Sequence, residues 1–143
     1  MTFLLDTNVV SAARKPERQD RPFQDFMRGF HVEEAFVSAV SVMEIRFGIQ
    51  RVQAHDQSFA HELSRWLNDV VLKEFAGRIL PFDLVAGIRA GGLPTADKRL
   101  SADAMIAATA LENGLQVVTR NVAHFEVLGA DCLNPWLHEQ TLR

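Results

Sequence analysis

FLLDTNVVSA, residues 3–12, runs three apolar side chains straight into Asp6, then Thr7 and Asn8, before apolar residues resume. A carboxylate at the end of a greasy run costs solvation free energy unless its charge is used there. Residues 3–5 are apolar on both faces and read as a short buried strand, and residues 9–13 start a helix. Strand, acid, helix is the opening of an α/β unit, and the rest of the chain repeats that alternation.

Residues 35–39 form a second expected strand, and from Ser41 a helix follows with Val42, Ile45, Ile49 and Val52 on one face. Between these units lie a polar, proline-flanked loop at 14–22 and a short helix at 23–30 with Phe23, Phe26, Met27 and Phe30 at helical spacing. Residues 56–71 read as a helix with Phe59, Leu63, Trp66, Leu67 and Val70 on its core side. A third strand is expected at 78–82, and a helix capped by Asp83 runs to Ala90, where Gly91-Gly92-Leu93-Pro94 breaks it. The helix at 101–112 stops at Asn113-Gly114, and residues 115–118 make a fourth strand. The expected fold class is α/β, a single domain over 1–143 with a parallel sheet covered on both sides.

The 143 residues are 48% hydrophobic and 23% charged, enough to bury a core and too apolar for disorder. A net charge of −3 argues against a broad basic nucleic-acid coat, although not against basic residues gathered around a cleft. Cys132 is the only cysteine, which excludes an intramolecular disulfide and a multi-cysteine zinc site. No signal-peptide pattern and no apolar run near the ~18 residues of a membrane span are visible, so a cytoplasmic protein without membrane contact is expected.

Three acids share one placement: Asp6 closes the first strand, Glu44 lies in the first turn after the second, and Asp103 lies in the first turn of the helix at 101–112. In an open parallel sheet, strand carboxyl ends and helix N-termini gather at one edge, where ligands bind. Unpaired carboxylates there repel one another unless a cation sits between them. Hard oxygen donors suit Mg²⁺ or Mn²⁺, which activate water and neutralise charge on a phosphate under attack. Each acid has a plainer reading as well. Ser41-Val-Met-Glu44 fits a capping box, and Asp103 is favoured by the helix dipole. Asp6 has less of one, since Thr7 or Asn8 can start the next helix. The case for a metal rests on the set.

LLDTNVVSA, SAVSVMEIRFGI, ADAMIAATALENGLQVVTRN and NPW, in this order, resemble the PIN-domain ribonucleases. More narrowly, they resemble the VapC-type toxins of bacterial toxin–antitoxin pairs, in the FitB-like branch. The resemblance spans Phe3 to Trp136. It implies a three-layer α/β/α sandwich, acids at one sheet edge binding Mg²⁺ or Mn²⁺, and endonucleolytic cleavage of RNA. Asp6 and Asp103 match the metal-binding aspartates, and Glu44 matches the glutamate that ligates directly or through water. Thr7 and Asn8 would shape the loop around Asp6, and Thr119 would line the pocket. Members often carry a fourth acid after the fourth strand; here Asn121 and His124 stand in that segment. Asn121 would offer a neutral oxygen or position a water, and His124 would meet a phosphate or a metal. Arg46, Lys98, Arg99 and Arg120 are candidates for RNA phosphates, or else solvated surface charges.

The same resemblance implies a homodimer blocked by a cognate antitoxin, which often places an arginine among the carboxylates. Phe23, Phe26, Phe30, Phe47, Phe59 and Trp66 would line the antitoxin's groove or belong to the core. Two rivals stand beside this reading. A haloacid dehalogenase-type phosphohydrolase also opens with a strand ending in Asp, but its D-x-D motif meets Asn8 here. A PIN-like domain that binds RNA or antitoxin without cutting is kept open by the absent fourth acid.

Overall fold

The computed structural model describes residues 2–95 and 97–137. Strand β1 (Phe3–Leu5) lies at the centre of a five-stranded sheet. It pairs in parallel with β2 (Ala35–Ser38) on one side and β4 (Gln116–Val118) on the other. The edges are β3 (Ile79–Leu80), parallel to β2, and β5 (Cys132–Leu133), parallel to β4. The fifth strand was not legible: two residues are too few to show a period of two.

Helices cover both faces. One side carries α1 (Thr7–Ala12), α2 (Arg21–Arg28), α3 (Ala39–Gln53) and α4 (Gln57–Trp66), which winds on through a π turn at Leu67–Val71 into α5 (Leu72–Glu74). The other carries α6 (Leu84–Gly92), α7 (Ala102–Asn113) and α8 (Val122–Val127). Successive strand residues point to opposite faces. Leu5, Val37 and Val118 therefore join the core with Val9, Phe23 and Ile49, while Leu4 and Val117 join Ile106, Ala107 and Phe125 on the other side. The three-layer expectation holds.

Three local expectations are corrected. Helix α3 starts at Ala39, capped by Ser38, whose Oγ accepts the Val40 N–H at 3.0 Å. Ser41 is thus inside the helix, buried, and Ser41-x-x-Glu44 is not a capping box. Asp6 is itself the N-cap of α1, a role assigned above to Thr7 or Asn8. The loop at 14–22 holds a 3₁₀ turn at Pro16–Arg18, and Pro22 opens α2, where a missing N–H costs nothing. Helix α7 is built as read: Ser101 accepts the Ala104 N–H at 3.1 Å, and Gly114 closes the helix at φ 64, where a side chain would strain. Phe23 and Phe26 are core, Phe30 and Trp66 are half-buried, and Phe47 and Phe59 face solvent. Among the described residues no helix is long and apolar enough to cross a membrane.

Candidate active site

The chain leaves β1 toward β2 on one side and returns as β4 on the other, so the sheet order reverses between β1 and β4. At such a switch point the two crossovers diverge and leave a crevice at the strands' carboxyl ends. Asp6 follows β1 and Thr119 follows β4, and both are buried. The Asp6 N–H continues the ladder to the Val118 carbonyl at 2.9 Å. Its carboxylate is held twice: Oδ1 accepts the Thr7 N–H at 2.8 Å, and Oδ2 accepts the Thr119 hydroxyl at 2.8 Å.

Glu44 reaches this edge from α3. The Thr7 hydroxyl lies 2.6 Å from Glu44 Oε1 and 2.8 Å from Ser41 Oγ. A hydroxyl has one proton to give, so Thr7 donates to the carboxylate and accepts from Ser41. Ser41, Thr7 and Glu44 form a short relay that fixes Glu44 against α1. Asp103 sits in the first turn of α7, and its Oδ2 lies 2.6 Å from His124 Nδ1 of α8. Of the two residues standing in for a fourth acid, His124 touches a site carboxylate. Asn121 works through its backbone: its N–H donates to Thr119 Oγ1 at 2.9 Å and its carbonyl accepts the His124 and Phe125 N–H groups, while its exposed side chain makes no hydrogen bond among the described residues.

The electrostatics are unfavourable by design of the edge. Burial pushes Asp6 up from 3.8 to about 6; the charges of Asp103 and Glu44 push the same way, while the Thr119 and Thr7 hydrogen bonds partly offset them. No lysine or arginine among the described residues forms an ion pair with Asp6, Glu44 or Asp103. A buried carboxylate without a cationic neighbour, beside two more carboxylates, is a donor set that fits a hard divalent cation. Among the described residues, no three Asp, Glu, His or Cys side chains stand close enough to hold an ion by themselves. Water or substrate oxygens would have to complete the shell, as Mg²⁺ prefers.

The basic candidates divide. Arg46, two positions beyond Glu44 on α3, is exposed and on the far side of the helix from it. Lys98 and Arg99 are exposed in the loop before α7, with Lys98 at φ 58 and the Arg99 N–H on Asp97 Oδ1 at 3.1 Å. Arg120 follows Thr119 directly; its N–H meets Asn8 Oδ1 at 3.4 Å, and its guanidinium lies over the Trp136 ring, 4.1 Å from the centroid. Sequence reading missed the Ser41 hydroxyl, hidden inside an apparent cap, and the part of Asn134-Pro135-Trp136 in holding this loop. A groove of about 300 Å³ runs from Thr7 and Glu44 along Ile45, Ile49, Leu63 and Trp66.

The PIN domain family model matches residues 3–129, most of the chain and all three acids. This chain belongs to the PIN-domain family. Among proteins similar to this PIN domain is the VapC ribonuclease Y4jK of Sinorhizobium fredii, 38% identical over 138 residues, covering 93% of this chain and 96% of that one. Toxin FitB of Neisseria gonorrhoeae is 34% identical over 139 residues, covering 93% and 97%. A solved structure of FitAB bound to an IR36 DNA fragment superposes with a TM-score of 0.83 at 29% identity, over 99% of this chain and 100% of that chain. The haloacid dehalogenase-type alternative has no support in these matches.

Proposed function

We propose that this PIN domain is the toxin of a toxin–antitoxin pair, a metal-dependent endoribonuclease acting on cytoplasmic RNA. The observation that carries it is Asp6: buried at the switch point, rigidly hydrogen-bonded, and raised to about 6 beside two further carboxylates. Asp6 and Asp103 would hold Mg²⁺ or Mn²⁺, with Glu44 joining directly or through water. Bound there, the cation supplies an activated water and charge neutralisation at the phosphate. The chain's own groups do the positioning. Thr119 and the Thr7 N–H lock the Asp6 carboxylate, the Thr7 hydroxyl locks Glu44, and His124 orients Asp103. The relatives named as a ribonuclease and a toxin support the same reading.

The test is cleavage of a structured-RNA pool by the purified chain with Mg²⁺ or Mn²⁺, beside chelator and Asp103→Asn. Cleavage is expected with metal only, and Asp103→Asn is expected to lower it by more than about 100-fold, beyond the cost of losing an outer-shell partner. A cognate antitoxin added to the assay is expected to stop it. RNA binding without cleavage by folded, antitoxin-free protein would sink the catalytic reading and leave a binding domain.

A homodimer belongs to the same proposal. Helix α6 leaves Leu84 77% and Ile88 70% exposed, with Leu100 beyond it at 66%, an apolar strip suited to a second copy. Sedimentation that finds only monomer at micromolar concentration would remove this part.

A further inference from the structure

The site's carboxylates and the chain's net charge of −3 repel a polyanion, so substrate capture needs a fixed cation close to Asp6. Arg14, Arg21, Arg28, Arg78 and Arg89 are already paired with carboxylates. Arg120 has no such partner among the described residues, and its backbone is tied down on both sides. The preceding Thr119 grips Asp6 Oδ2, the Arg120 N–H meets Asn8, its carbonyl accepts the Asn134 Nδ2 at 3.5 Å, and the Asn121 N–H returns to Thr119 Oγ1. Its side chain has a seat as well. Trp136, 8% exposed, is stacked on Phe23, and the Arg120 guanidinium carbon lies over its ring. A ring contact of this kind engages the guanidinium carbon's π face and consumes none of its N–H donors, so the fork that matches two phosphate oxygens stays available.

We propose that Arg120, seated on Trp136 and anchored beside Asp6, is a phosphate clamp that grips the RNA backbone flanking the bond to be cut. The clamp rests on the ribonuclease reading and gives Asn134-Pro135-Trp136 a purpose: the motif is the bench on which the guanidinium lies. It grips backbone, so it adds affinity without base preference.

The test is fluorescence anisotropy of a labelled single-stranded RNA of mixed sequence, titrated with Asp103→Asn protein so that cleavage is suppressed and the Thr119–Asp6 anchor is kept, over a range of potassium chloride. Adding Arg120→Ala is expected to flatten the log–log salt slope by about 0.7 and to weaken binding about five-fold at about 0.1 M salt, the release of one counterion site. Arg120→Lys is expected to restore the slope while losing the planar stack. An unchanged slope in Arg120→Ala, with only a lower melting temperature, would overturn the clamp and leave Arg120 as packing for Trp136. Failure of the Asp103→Asn protein to bind RNA at all would also overturn it; cleavage by the unaltered chain then tells whether the ribonuclease reading falls with it.

Discussion

An Asp6→Asn protein is expected to lose RNA cleavage by more than about 100-fold and, in chelator, to become more stable than the unaltered chain. The stability gain follows from linkage. Asp6 titrates near 3.8 in an unfolded chain and at about 6 here, so the folded state holds its proton more tightly. Below the lower value both states are protonated and the carboxyl costs nothing. As pH rises through the window between the two values, the unfolded chain releases its proton while the folded state still holds one, and stability falls, by up to about 3 kcal/mol above the upper value. Asparagine cannot ionise and escapes this loss. It keeps the oxygen that accepts from Thr7, but its amide cannot accept from Thr119, which must turn its hydroxyl elsewhere. The net gain is therefore expected at about 2 kcal/mol at about pH 7.5, shrinking to nothing at about pH 4, read from urea unfolding. Mg²⁺ is expected to stabilise the unaltered chain and not the variant. A variant equally stable at both pH values would mean that Asp6 is not a strained carboxylate, and the case for a cation would lose its main support.

Phe23→Ala is expected to be the most damaging single change outside the acids, at about 3–5 kcal/mol. Phe23 is fully buried, and its ring stacks on Trp136 at 4.6 Å with planes 27° apart. Truncation leaves a hole beneath Trp136 and forfeits an aromatic pair worth about 1 kcal/mol beyond its burial. Because Arg120 rests on the same indole, the variant is expected to flatten the salt slope of RNA binding even where it remains folded. Denaturant titration reading a loss below about 1 kcal/mol would show that the site collapses onto the gap and that the stack is no foundation.

Two of the three acids had a sound one-dimensional mark: Asp6 ends an apolar run, and Asp103 follows a Ser cap before an alanine-rich helix. Glu44, expected in the first turn of its helix, lies in the second because α3 already starts at Ala39. Strand alternation set the sheet, and parallel sheets gather their acids at one end. What was hidden depends on contacts across the fold. Ser41 looked like a cap because Ser38, three residues earlier and in a strand, had taken that role. That Asp6 caps its own helix was missed for a related reason: Thr7 is also a good cap, and only the turn geometry chooses between neighbours. The His124–Asp103 pair joins two helices 21 residues apart, and no local pattern announces it. Helix α8 and strand β5 are too short for periodicity to separate from loop.

The central position of β1 has a consequence for how the protein is made. Asp6 is synthesised well before the hydroxyl that locks it, which belongs to Thr119, 113 residues later. Both neighbours of β1 come from downstream segments, and Glu44 meets Thr7 only after 37 intervening positions have been synthesised. A domain folds as a unit once its long-range pairings can close. The growing chain therefore carries Asp6 without the partners that position it until Thr119 has been made, and on the ribonuclease reading proposed above it has no assembled edge with which to cut RNA before that point.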